Sequence, residues 1–168
     1  MAVFSKPVHM QPALEQDFSA IWEIFHLIVL SGNTISFPPE TTYDQAKEYW
    51  MGKGMHAYKA VKDGIIVGTY VLKANFPGLG SHVVNGGYMV HPKWQGHGIG
   101  TQMVQHSLEE AERLGFKAMQ YNLVVATNTR AVELYQRLGF KIVGTLPKAF
   151  NHLTLGYVDA YVMHRFLE

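Results

Sequence analysis

Residues 89 to 101 read Met-Val-His-Pro-Lys-Trp-Gln-Gly-His-Gly-Ile-Gly-Thr, and no other stretch restricts the fold as much. An apolar strand runs into a proline, then into glycines at 96, 98 and 100, then into a helix that opens with Gly100, Thr101, Gln102 and Met103. Three glycines on alternate positions let successive amide N–H groups converge with no Cβ atoms in the way. At a helix N-terminus such a nest is an anion site, because the orphan donors and the helix dipole both favour negative charge. Helices commonly place Asp or Glu in the first turn. Here Glu109, Glu110 and Glu112 all sit in the far half, which leaves the positive end free for an external anion.

The chain around this segment has 168 residues, the length of one domain, and no repeat or linker divides it, so residues 1–168 are expected to form a single domain. Lys and Arg number 14 against 13 Asp and Glu, with no run of like charge, so the footprint of a nucleic-acid or acidic-membrane binder is missing. Cysteine is absent, which excludes a disulfide framework, a thiolate metal site and a catalytic thiol. The nine histidines form no metal pattern, so no metal is expected. The longest apolar stretch, 21–30, is too short to span a bilayer, and the N-terminus lacks the order of a signal peptide; a cytoplasmic protein is expected.

Periodicity predicts a strand over 8–10, a helix over 15–29, and a second helix over 43–51 capped by Thr42. Strands follow over 57–61 and 65–72, joined through Asp63-Gly64, a strong hairpin signal. A strand over 83–90 contains Gly86 and Gly87, which suggest a bulge or a close approach by something else. Next come a helix over 100–114, a strand over 118–125, a helix over 128–138, and strands over 141–146 and 157–166. The order β-α-α-β-β-β-α-β-α-β-β describes an α/β (α+β) mixed sheet with helices packed on it.

A P-loop requires G-x-x-x-x-G-K-[ST], and a dinucleotide fingerprint requires G-x-G-x-x-G beside a first strand; neither occurs. Instead Gln95-Gly96-His97-Gly98-Ile99-Gly100 resembles the Q/R-x-x-G-x-G/A motif of the GNAT superfamily of acyl-CoA-dependent N-acetyltransferases. Asn128-x-x-Ala131-x-x-Leu134-Tyr135-x-x-x-Gly139-Phe140 is similar to that family's second signature, and the two occur in its order. His97 stands where Lys or Arg is common, a departure that leaves the backbone N–H in place.

The resemblance implies a GNAT fold in which the strand ending at Val90 splays from its neighbour and the pantetheine arm of acetyl-CoA lies in the gap. Met89 and Val90 would pair with that arm. Gln95, Gly96, His97, Gly98, Ile99, Gly100 and Thr101 would hold the pyrophosphate, and Asn128 and Ala131 would approach from the other side. Tyr135 would be the general acid that protonates the departing thiolate. Read by periodicity alone, Tyr135 belongs to the apolar stripe Ala131, Leu134, Tyr135, Leu138 and is core.

Without a cysteine no acyl-thiol enzyme forms, so the expected route is direct attack by an amine within a ternary complex. Glu40, His82 and Tyr88 are the candidate bases. The loop over 32–40 and the segment 147–157 are expected to recognise the acceptor, with Phe37, Phe150, His152 and Tyr157 walling a small pocket and Tyr88 as a further substrate contact. Phe37-Pro38-Pro39-Glu40-Thr41-Thr42 and Leu146-Pro147-x-Ala149-Phe150 resemble members that acetylate amino acids and phosphinothricin-like molecules. The expected partner is therefore a small-molecule amine. A protein N-terminus or lysine acetyltransferase, sharing every cofactor residue, and a non-catalytic acyl-CoA-binding module are the alternatives. Homodimers are common in the family, and no residue here demonstrates one.

Overall fold

A computed structural model describes residues 7–167. The elements are β1 (His9–Pro12), α1 (Phe18–Ser31), α2 (Tyr43–Met51), β2 (His56–Lys62), β3 (Ile65–Ala74), β4 (Val83–Val90), α3 (Ile99–Arg113), β5 (Ala118–Val125), α4 (Thr129–Arg137), β6 (Lys141–His152) and β7 (Gly156–Phe166). They build one seven-stranded mixed sheet in the order β1-β2-β3-β4-β5-β7-β6, antiparallel everywhere except between β4 and β5. The element order is the one predicted, and the N-terminal strand lies at 9–12 rather than 8–10.

Local chemistry sets most boundaries. Thr42 and Gln45 form a reciprocal capping box on α2, with Thr42 Oγ1 accepting from the Gln45 amide at 3.3 Å. Residues 15–17 form a 3-10 turn, so α1 begins three residues later than its periodicity suggests. Asp63 and Gly64 both have positive φ, as a two-residue type I′ hairpin between β2 and β3 requires.

The structure decides between the two readings of one glycine pair and corrects the end of one strand. Gly86 and Gly87 make no bulge: β3 and β4 pair without a register shift from Gly68↔Val90 to Ala74↔Val84. A Cβ on Gly86 would lie 2.8 Å from the Tyr88 hydroxyl, so this glycine makes room for a side chain two residues on. The strand expected to end at 146 runs on, and only residues 153–155 form the turn to β7. β6 continues to His152, and a bulge between Leu146 and Phe150 carries Pro147, which has no N–H, out of the ladder. The Asp159 carboxylate accepts from the Lys148 amide at 2.9 Å and secures the bulge.

α1 and α2 cover one face of the sheet, where Phe18, Ile21, Phe25, Trp50, Val71 and Met89 form a core. α3 and α4 cover the other, over Tyr70, Leu72, Met103, Leu108, Met119, Val132 and Met163. Among the described residues no helix is long and apolar enough to cross a membrane.

Candidate active site

β4 and β5 pair only at Val83↔Ala118 and Val84↔Met119, and then part. At the fork the Asn85 side chain reaches across and donates to the Gln120 carbonyl at 3.1 Å. Beyond it opens a cleft of about 810 Å³. Gly86 to Val90 form one wall, Tyr121 and Leu123 to Val125 the other, and α4 contributes Asn128, Ala131, Leu134 and Tyr135. The Met89 side chain is buried in the opposite core, so Met89 meets the cleft through its backbone.

One end of the cleft is the glycine-rich turn. Gly96 and Gly98 have φ of 81° and 76°, the left-handed region that L side chains resist, whereas Gly100 is ordinary helix. Gly98 caps α3 with no side-chain acceptor, the first turn holds no acid, and no described group takes a hydrogen bond from the amides of residues 96 to 101. These amides are thus unpaired among the described residues at the positive end of a 15-residue helix, and Gly96, Gly98, Ile99, Gly100 and Thr101 border the cleft, which suits a diphosphate. His97 does not line the cleft; its Nδ1 meets the Trp94 and Gln95 carbonyls at 3.1 and 3.0 Å, folding the ring onto its own turn. Carbonyls only accept, so this nitrogen carries the proton. Asn128 Oδ1 accepts from the Ala131 amide at 3.4 Å, capping α4 while lining the cleft.

Midway along the cleft stand three tyrosines. Tyr135 packs on Tyr121 with ring centroids 4.4 Å apart and lies 6.3 Å from Tyr88. Among the described residues none forms a hydrogen bond with the Tyr135 hydroxyl, whereas Tyr88 meets Ser107 Oγ at 2.7 Å and the Tyr121 hydroxyl at 2.9 Å. Burial pushes the Tyr88 phenol up to about 12, and burial likewise raises those of Tyr121 and Tyr135 well above the ordinary value. All three are therefore protonated near neutral pH.

The remaining sequence candidates fall elsewhere. Glu40 is an exposed turn residue between α1 and α2, outside both cavities. His82 is exposed at the closed end of the fork, its ring on the Leu79 carbonyl and its own carbonyl accepting from Lys117. Phe37, Phe150 and His152 do come together, with Ile35, Pro38 and Leu153, around a second cavity of about 450 Å³. Ile35 borders both cavities, so the second lies next to the first. No group of three or more metal-ligating side chains occurs among the described residues.

Sequence reasoning missed Tyr121, Ser107 and two cations of the cleft wall, Arg130 and Arg137. The Arg130 guanidinium leans over the turn, 3.8 Å from where a Cβ on Gly96 would sit. A signal existed for it: Arg130 lies in the first turn of α4, where the helix dipole disfavours a cation that serves no other purpose.

The family model described as the acetyltransferase (GNAT) family matches residues 15–140. The chain belongs to that family. It is 40% identical over 100 residues to the N-acetyltransferase aca1 of Schizosaccharomyces pombe, a match covering 58% of this chain and 47% of that protein. The chain thus spans about half the length of this relative. It is 26% identical to the L-amino acid N-acetyltransferase AaaT of Escherichia coli, over 89% of this chain and 92% of that one. Among solved structures, a GCN5-related N-acetyltransferase from Kribbella flavida superposes with a TM-score of 0.91 at 41% identity, covering 95% and 98% of the two chains. A phosphinothricin acetyltransferase from Sinorhizobium meliloti, solved in complex with AcCoA, shares the fold with a TM-score of 0.85 at 20% identity, covering 96% and 89%.

Proposed function

We propose that this member transfers the acetyl group of acetyl-CoA to the primary amine of a small molecule of the amino-acid class. The observation that carries the reading is the Tyr135 phenol, free of hydrogen bonds to the described residues, in the wall of a cleft that ends in unpaired helix-terminal amides. Amides 96 to 101 and Arg130 hold the diphosphate, and the unpaired side of β4 from Asn85 onward takes the amides of the pantetheine arm. That brings the thioester toward Tyr135.

The amine nitrogen attacks the thioester carbonyl, the C–S bond breaks, and the sulfur takes the Tyr135 proton. A thiolate of ordinary pKa, about 8.5, is a fair leaving group and needs only this donor nearby. The proton shed by nitrogen goes to water, and water returns one to the Tyr135 phenolate, which leaves the enzyme as it began. The described cleft lining contains no histidine and, among carboxylates, only the exposed Glu133 of α4. Tyr88, held protonated, is no base at neutral pH. Attack therefore draws on the neutral fraction of the amine.

The second cavity supports the acceptor class. Its lining is largely apolar, with no Asp, Glu, Lys or Arg, so a polycation finds no counter-charge there. His152 offers direction. Its Nδ1 lies 3.2 Å from the Thr154 and Leu155 amides and accepts from them, so the neutral ring carries its proton on Nε2. That donor suits the carboxylate of an amino acid with an apolar side chain. The amino-acid acetyltransferase named above supports the same class.

Tyr135→Phe tests the reading. Acetyl-CoA affinity is expected to stay within about twofold while turnover falls about ten- to a thousandfold. Full activity, or lost acetyl-CoA binding, overturns the assignment. Thiol release across amino acids, polyamines and short peptides tests the acceptor; the chain, lacking cysteine, adds no thiol background.

A further inference from the structure

Glycine weakens the interior of a strand, and β4 carries two in succession. Gly86 has its reason in the seat of the Tyr88 hydroxyl, where a Cβ would intrude. Gly87 has no reason of that kind. It pairs in regular register with Val71 and its φ is not positive, so the backbone there asks for no glycine. A Cβ would meet the Trp50 indole at 3.6 and 3.7 Å and Val71 at 3.8 Å, all ordinary contacts, so the packing would accept alanine. Gly87 nevertheless borders the cleft and is only half-buried. It leaves a methyl-sized niche that opens from the cleft and is floored by the indole and Val71. The floor is fixed. Trp50 is buried, and its Nε1 donates at 2.8 Å to Thr69 Oγ1, which in turn donates at 2.8 Å to the Tyr58 carbonyl. The ring therefore stays down and does not fill the gap. Its neighbours in the α1–α2 core are apolar, Val71, Ile28 and Met89 among them, so the niche suits an alkyl group.

We propose that Gly87 sets the size of the acyl group: the niche over it takes the third carbon of a propionyl group, so the enzyme accepts propionyl-CoA as well as acetyl-CoA. The assignment rests on reading the cleft as an acyl-CoA site with Tyr135 as the acid. The two glycines face opposite sides of the sheet. Gly86 looks toward Tyr88 and Tyr121, in the core that Tyr135 joins, and Gly87 toward Trp50 and Val71. Sulfur belongs at the Tyr135 hydroxyl, and the acceptor's cavity lies on the α1 side, against Gly32 and Ile35. The thioester then spans the fork from one face of the sheet to the other, and its acyl chain lies on the Gly87 side. The chemistry is otherwise unchanged. The amine nitrogen bonds to the propionyl carbonyl carbon, the C–S bond breaks, sulfur takes the Tyr135 proton, and the proton shed by nitrogen goes to water. The methyl of an alanine at 87 and the terminal methyl of the propionyl group would occupy one place.

The test measures the affinities of free CoA, acetyl-CoA and propionyl-CoA by calorimetry with no acceptor present, in the whole chain and in its Gly87→Ala variant. It then measures kcat/KM for both donors with glycine, L-leucine and L-phenylalanine as acceptors. One buried methylene is worth about fourfold in affinity, so the parent protein should bind propionyl-CoA about fourfold more tightly than acetyl-CoA. In Gly87→Ala the order should reverse, with propionyl-CoA disfavoured against acetyl-CoA about ten- to two-hundredfold in affinity and in kcat/KM. Gly87→Ser fills the same place and should reverse the order likewise, which decides the matter if the alanine variant does not fold. A parent protein that rejects propionyl-CoA, or a folded variant that ranks the two donors as the parent does, would overturn the proposal. So would a variant whose acceptor preference changes while its donor preference does not, since the niche would then belong to the amine. All of these results leave acetyl-CoA binding in place. Failure of the parent protein to bind free CoA and acetyl-CoA would instead bring down the reading of the cleft, and the assignment of Gly87 with it.

Discussion

Gly100→Ala separates the two reasons a chain has for placing glycine near an anion. Gly100 is the second residue of α3 with ordinary helical backbone, and a Cβ there would come no closer than 3.9 Å to Val90 and 4.0 Å to Leu134. The protein itself thus has room for alanine, and replacing a helical glycine gains about 0.5–1 kcal/mol. For a domain of this size that raises Tm by about 1 to 4 °C. If amides 96 to 101 hold a diphosphate, however, the new methyl stands where the phosphate oxygens approach. Losing one charge-assisted hydrogen bond, about 1.5–3 kcal/mol, weakens acetyl-CoA binding about ten- to a hundredfold. Stability and affinity should therefore move in opposite directions, read by thermal unfolding and by calorimetric titration. Gly98→Ala is the control. It meets nothing within 4 Å, but at a φ of 76° it costs about 1–2 kcal/mol and should lower Tm. A Gly100→Ala protein that is more stable and binds acetyl-CoA unchanged would refute the phosphate cradle.

Arg130→Gln should raise the KM for acetyl-CoA about fivefold and flatten its dependence on salt, with kcat unchanged; an unaltered salt profile would remove Arg130 from the site. The pH dependence of kcat/KM for the amine should climb toward the acceptor's own pKa, and a plateau well below it would reveal a base on the protein. Partial burial pushes the Asp17 carboxyl up, but the Lys59 ammonium at 2.8 Å and the Leu14 amide outweigh it, and the group titrates below its ordinary value. Its contribution to stability is present above the unfolded pKa of about 3.9 and is lost as pH falls through the lower folded value. Asp17→Asn should therefore destabilise the protein at pH 7 and flatten the acid limb of stability, measured as urea midpoints.

Sequence carried what depends on neighbours along the chain. The cap at Thr42, the turn at Asp63-Gly64 and the turn-to-helix nest are short-range arrangements, each closed within a few residues. The fork between β4 and β5 lies beyond such reasoning, because it is a pairing that stops, and strand composition does not announce where a ladder ends. Family resemblance supplied it instead. The base candidates failed for the same reason: Glu40 and His82 have suitable chemistry, but only the sheet order shows that His82 sits at the closed end. Ser107 was legible in part. It shares a helical stripe with Val104, Leu108 and Ala111, and a hydroxyl on an apolar stripe asks what it bonds to. The extension of β6 past Pro147 was hidden because a bulge lets a proline pass where a regular ladder would not.

The fork also bears on how the protein comes apart. Among the described residues the backbone ladder between the block β1 to β4 and the block β5, β7 and β6 amounts to two positions, and beyond it only side-chain bonds such as Asn85 to Gln120 and Tyr88 to Tyr121 cross the fork. A sheet divided so deeply is built to open in two cooperative pieces, with free energies well below that of global unfolding. Amides of β4 beyond Asn85 and of β5 beyond Gln120 should then exchange their hydrogens soonest among the central strands. A ligand lying along the gap bridges the two pieces much as a missing strand would, so acetyl-CoA should merge two unfolding units into one and slow exchange on both banks at once.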